Sequence, residues 1–160
     1  MPSMRRQRLQ DALVVGNVRA FLRAIRLGEG TSDDLGYRRM VGGGEFTSFV
    51  THPRRRVWIP RYGVWSSAAG AYQIIWPTWS SLVAQYGFED FRPARQDEAA
   101  VALIAEKGAL DDVIAGRARE AIELCHEIWA SLPGSKAGQR TETLDRVLAE
   151  YRDHGGTIAT

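Results

Sequence analysis

The chain has 160 residues, 44% of them apolar, which is enough for one domain with a real core. Lys and Arg outnumber Asp and Glu by 21 to 19; this mildly basic balance favours a polyanionic surface such as nucleic acid or a bacterial envelope, although the ordinary role of such charges is to keep a domain soluble. No run of about 18 apolar residues is present, so no membrane insertion is expected, and a single cysteine, Cys125, excludes an internal disulfide and suits a reducing compartment.

The N-terminal stretch "MPSMRRQRLQDALVVGNVRA" carries positive charge, but its apolar patch is short and Asp11 interrupts it. It does not read as a signal peptide. Residues 1–16 are expected to be a flexible extension of a single domain spanning 1–160. After Asn17, read as an N-cap, Val18, Phe21, Leu22 and Ile25 mark one apolar helix face, and Gly28 is placed to stop it. Residues 30–66 are glycine-rich, and the runs "EFTSFV" and "RRVWIPRYGVW" predict two or three short strands. Helical signals resume near Ser67 with a short helix, followed by one that Pro77 opens and that runs to about Gly87. Another is expected from about Arg95 to Lys107, closed by Gly108. The clearest covers 117–131, where Ala118, Ala121, Ile122, Cys125, Ile128, Trp129 and Leu132 share a stripe. "LPGSKAGQR" reads as a loop, and a last helix from Thr141 carries Leu144, Val147, Leu148 and Tyr151 on one face, before Gly155 and Gly156. The pattern is α+β: mainly helical, with a small sheet inserted early.

Several chemistries find no support. His52, His126 and His154 stand in unrelated contexts with no paired cysteines, so neither a metal nor another cofactor is expected. "MVGGGEF" lacks the Lys and Ser/Thr of a phosphate loop and reads as a turn. Cys125 lies on an apolar stripe and reads as a packed thiol. "HPRRR" and "MRRQR" read as solvated surface, so no nucleic acid is expected as a partner.

The stretch "RLGEGT" is different, because it puts Glu29 just where a helix is about to turn. The negative end of the helix dipole disfavours an ionised carboxylate there, and burial acts in the same direction. A carboxylic acid still protonated near neutral pH is what protonation of a glycosidic oxygen requires. From residues alone, an ordinary exposed acid, one among 19, remains the alternative.

"RLGEGT", "GYRRMVGG", "FTSFVTHPRR", "SSAAGAYQI", "FRPARQD", "EKGAL" and "IWASLPGSKAGQ" follow one another in an order that resembles the phage lambda endolysin family, collinear from about Arg19 to Gly156. The resemblance implies a lysozyme-like fold with a substrate cleft between a helical lobe and a small β lobe. It also implies a lytic transglycosylase that cuts peptidoglycan glycan strands between N-acetylmuramic acid and N-acetylglucosamine, with Glu29 as the single catalytic acid. The muramic 6-hydroxyl would close a 1,6-anhydro ring, so no second carboxylate is needed. Asp33, Asp34 and Glu45 are the acids that a hydrolytic muramidase of the same fold would draw on, and they read as turn residues. The family pattern has an acid after its "GY", where this chain has Arg38. By the same resemblance Thr31, Tyr72, Gln73, Ser135 and Gln139 are expected to bind substrate. Tyr72 is read equally well as core, and Thr31 as a cap of the turn after Glu29. Trp76, Trp79 and Trp129 read as core aromatics, and Arg54 and Arg55 as a lip over the cleft facing peptide-stem carboxylates or simply solvent. The implied setting is a monomeric phage enzyme held in the host cytoplasm until a holin opens the way to the wall. A non-catalytic wall-binding or virion module is the third reading.

Overall fold

A computed structural model describes residues 3–134 and 142–159. Helix α1 (Met4–Leu13) starts on Ser3, whose Oγ accepts the Arg6 N–H at 3.1 Å. It buries Leu9 and Ala12 and packs on α4 (Pro93–Glu106), where Arg6 Nε donates to Glu98 Oε2 at 3.0 Å. The expected flexible extension is therefore an ordered helix from Met4 onward. Its docking face mixes the apolar Leu9 and Ala12 with Arg6 and Gln10, both of which donate to Glu98, and apolar periodicity does not report such a face.

Helix α2 (Gly16–Glu29) is the central helix, packed against α1, α5 (Leu110–Ala115) and α7 (Leu144–Asp153). Asn17 is not its cap. Val15 holds that place, and Asn17 instead donates to Ile114 O and accepts from Thr157, tying the helix start to the chain's end. Gly28 stays inside the helix; the chain turns at Gly30, whose φ of 73° is the left-handed value that glycine adopts without strain.

The sheet is one antiparallel hairpin, β1 (Val57–Ile59) on β2 (Val64–Ser66), with Trp58 opposite Trp65. "EFTSFV" forms no regular strand. Glu45 makes a single bridge to Arg39, while Phe46 and Phe49 pack edge to face and Phe49 O accepts the Phe91 N–H. "MVGGGEF" is a turn, closed by Met40 N–H to Gly44 O at 2.6 Å. Residues 67–75 are not helical either; Ala69 and Ile74 bridge across a tight loop through Gly70 and Gln73.

Helix α3 (Trp76–Tyr86) has Pro77 in its first turn and Gly87 at its end, as expected, and α4 is followed by Gly108 at φ 72°. The short α5 was not foreseen. Helix α6 (Ala118–Cys125) is shorter than its stripe: Cys125, Trp129 and Leu132 are all buried, but from residue 126 the stripe continues on turns. Burial pushes the Cys125 thiol up to about 12, so it is a packed group and not a thiolate. Helix α7 starts after Thr143, whose Oγ1 accepts the Arg146 N–H, and Thr141 lies outside the described residues.

Candidate active site

Glu29 is the last residue of α2, so its carboxyl sits over the negative end of that helix. The side chain is largely buried, and burial raises its pKa above the ordinary carboxylate value. One contact opposes this: the Ser131 hydroxyl, itself nearly inaccessible, donates to Glu29 Oε2 and favours the charged form. Gly28 makes that approach possible. A Cβ on residue 28 would lie 2.5 Å from Ser131 Oγ, so only glycine lets the turn carrying Ser131 close against the helix end. The two glycines around the acid thus have separate tasks, Gly30 turning the chain and Gly28 admitting Ser131.

The loop after Glu29 is fixed from inside. Thr31 is fully buried, and its hydroxyl donates to Ala71 O at 2.5 Å. The buried Arg26 guanidinium donates to Thr31 O at 2.9 and 2.6 Å and to Asp33 O at 3.0 Å, and lies 4.6 Å from the centre of the Tyr37 ring. Thr31 therefore caps and anchors the turn, and its hydroxyl is not presented to a ligand.

Tyr72 is also an interior residue, 2% exposed. Its hydroxyl and that of Tyr37 both donate to Asp97 Oδ1, at 2.6 and 2.8 Å, and its carbonyl accepts from Trp129 Nε1 at 2.9 Å. Burial and the Asp97 charge push the Tyr37 phenol up to about 12, and they raise Tyr72 in the same direction. The sugar contact expected of Tyr72 is not one this buried side chain takes up; it braces the wall from behind. Trp79 and Trp129 are core residues, and Trp76 is only partly covered.

Gln73 keeps an accessible edge. Held at φ 50°, it donates its amide to Arg39 O at 3.1 Å and Gly70 O at 2.9 Å, and among the described residues nothing donates to its Oε1. Arg39 in turn donates to Gly30 O at 3.2 Å, so Gln73 is linked through Arg39 to the residue beside Glu29. The same guanidinium pairs with Asp33 at 3.1 Å and Glu45 at 3.7 Å. Two of the three acids that a second-carboxylate mechanism would draw on are thus committed to a cation. Ser135 and Gln139 lie outside the described residues.

The sequence reading missed Ser131 and Arg39. Ser131 sits within the "ASLPG" block that carried the resemblance, but its partner is 102 residues away, and no local pattern announces such a contact.

The sequence model of the Endolysin family matches residues 19–158. The endolysin of Escherichia phage lambda is 38% identical over 147 residues, covering 88% of this chain and 92% of its own. That of Escherichia phage P2 is 38% identical over 157 residues, covering 89% and 95%. A bacteriophage lambda lysozyme solved in complex with a chitohexasaccharide has a TM-score of 0.84 at 36% identity, over 90% of this chain and 97% of that one. A second structure of lysozyme from bacteriophage lambda gives 0.81 at 35% identity over the same shares. With the lysozyme fold and a partly buried acid at the end of the first long core helix, this chain belongs to the endolysin family.

Proposed function

We propose that this endolysin is a lytic transglycosylase in which Glu29 serves as acid and then as base. The observation that carries the reading is the setting of Glu29: partly buried at a helix C-terminus, with its pKa raised and a single hydroxyl donor on Oε2. With Oε2 engaged by Ser131, Oε1 is the oxygen that carries the acidic proton. It protonates the oxygen linking N-acetylmuramic acid to N-acetylglucosamine, and the bond to C1 breaks as oxocarbenium character develops. The muramic 6-hydroxyl then bonds to C1, and its proton passes to the Glu29 carboxylate, which restores the acid. The products are a 1,6-anhydro-muramic end and a free N-acetylglucosamine 4-hydroxyl, with no water consumed. Because the nucleophile is tethered to the reacting sugar, proximity replaces a second carboxylate. The pairing of Asp33 and Glu45 with Arg39 supports that reading.

Gln73, Ser135 and Gln139 are the substrate contacts in this reading. The enzyme acts as a monomeric single domain without metal or cofactor. It waits in the host cytoplasm until a holin admits it to the wall; no helix among the described residues is long and apolar enough to cross a membrane itself.

The test is mass spectrometry of fragments released from Gram-negative peptidoglycan by wild type and Glu29→Gln. Anhydro-muramic ends, one water lighter than ordinary reducing ends and absent from the variant digest, are the expected result. Ordinary reducing ends would make the protein a hydrolytic muramidase. Wall binding with no release by either protein would make it a non-catalytic module.

A further inference from the structure

We propose that a groove beside the β1–β2 hairpin binds the carboxylate-bearing peptide stem that muramic acid carries; this rests on peptidoglycan being the substrate. The groove encloses about 500 Å³ and is lined by Arg54, Arg56, Trp65, Ser66, Ser67, Ile75, Trp76 and Pro77, with no acid among them. Neither arginine forms an ion pair among the described residues, so both guanidinium charges are uncompensated by the protein at the groove. Each guanidinium lies on an indole: Arg54 is 4.0 Å from the Trp76 ring centre and Arg56 is 5.7 Å from that of Trp65. Stacking fixes the plane of a guanidinium and leaves its edge N–H groups free to meet a carboxylate in bidentate fashion.

Arg54 is held in place against its own backbone preference. Its φ is 53°, a left-handed value that a bulky residue adopts only where the surroundings impose it. The imposing group is His52, which is fully buried. Its Nε2–H donates to Ile74 O at 2.8 Å, and its Nδ1 accepts the Arg54 N–H at 3.0 Å. A buried imidazole thus sets the backbone that lays Arg54 across Trp76. Solvation of a surface arginine needs no such device; presentation of a cation to an anionic ligand does.

The groove and the acid share one segment. Ser66 and Ser67 at one end, and Ile75 to Pro77 at the other, line the groove. Between them Gly70 and Gln73 clasp Arg39, which reaches Gly30 next to Glu29. A stem of four or five residues reaches roughly 13–18 Å from its sugar, and this one segment connects the surroundings of the acid to the groove. Exposed Ile75 and Trp65 suit the aliphatic parts of such a peptide, and the two arginines suit its free carboxylates.

Calorimetric titration of the whole protein with a synthetic stem tetrapeptide tests the inference without requiring cleavage. Saturable binding is expected, weakened at least about tenfold when the peptide carboxylates are amidated and in Arg54→Asn/Arg56→Gln, where Asn tolerates the left-handed backbone. The preference for cleaving stem-bearing over amidase-stripped strands is expected to fall by a similar factor in that variant. If the double variant misfolds, Trp65→Ala, at a side chain 57% exposed, is the replacement. No binding of the free peptide, equal binding of the amidated one, or binding of chitotetraose in its place overturns the proposal. If the wild type cleaves neither kind of strand, the transglycosylase reading fails, and the titration still decides whether the groove takes the stem.

Discussion

Ser131 Oγ donates a hydrogen bond to Glu29 Oε2 from a turn 102 residues further along the chain, and it works against the burial that raises the pKa of that acid. The bond favours the carboxylate, which is the form of Glu29 that takes the proton in the second half of the reaction. Ser131→Ala removes the donor, so the pKa of Glu29 rises further and its acid form persists to higher pH. The alkaline limb of the kcat/KM profile is therefore expected to move to higher pH, while the maximal rate falls by about ten- to a hundredfold, as for loss of a hydrogen bond to a charged group. A lower rate with an unmoved limb would mean that Ser131 only packs against the helix end.

Glu29 also carries a cost in stability that depends on pH. Its folded pKa lies above the unfolded value, so across the interval between them the native state holds more protons than the unfolded chain. Its favourable contribution is complete below the ordinary carboxylate pKa and is lost as pH rises through the raised one. Glu29→Gln abolishes this dependence. The variant is expected to melt above wild type near pH 8, by about 2–4 °C for each kcal/mol of relieved desolvation, and level with it near pH 4. Scanning calorimetry at the two pH values checks this. A variant that melts below wild type near pH 8 would show that the ionised carboxylate is stabilised by its surroundings, and the acid role would lose its physical basis.

The candidate acid was legible in the sequence because helix end, glycine and carboxylate are neighbours in the chain. Helices whose apolar residues recur on one face, such as α2 and α7, were legible for a similar reason, since local periodicity reports burial directly. "EFTSFV" misled because its aromatic residues serve packing: Phe46 meets Phe49 and Phe91 without a partner strand for the backbone. The stripe of α6 misled in the opposite way, since burial continues through Trp129 and Leu132 where the helix does not. Tyr72 shows the limit for sites: a tyrosine beside a cleft residue has the same sequence whether its ring faces a sugar or Asp97. Only the distant position of α4 decides between them.

Helix α1 is the region where polar contacts hide most from sequence reading, and its attachment makes a testable claim. Arg6 lies 11% exposed between Glu98, which is 2% exposed, and the surface Glu89, with bonds of 3.0 and 2.7 Å, and its guanidinium covers the Phe88 ring at 5.5 Å. Arg6→Ala leaves the buried Glu98 with Arg95 at 2.7 Å and Gln10 at 3.3 Å, so the loss is partial, about 1–3 kcal/mol. The hydrogen bond from Arg6 is the main reason the Glu89 carboxyl is held down to about 2, against an ordinary 4.5. Stability from a depressed carboxyl is present above its unfolded pKa and disappears as pH falls through the folded one. The gap between wild type and Arg6→Ala is therefore expected to be full at neutral pH and to narrow between about pH 4.5 and 2. Because Glu89 is half exposed, its share is small and screened by salt, and most of the gap belongs to Glu98. Urea unfolding of the two proteins measures it. Coincident curves at neutral pH would return residues 1–16 to the status of a detachable extension; a separation of the stated size makes α1 part of the folded unit that holds α4, and through Asp97 the wall bearing Tyr72, in place.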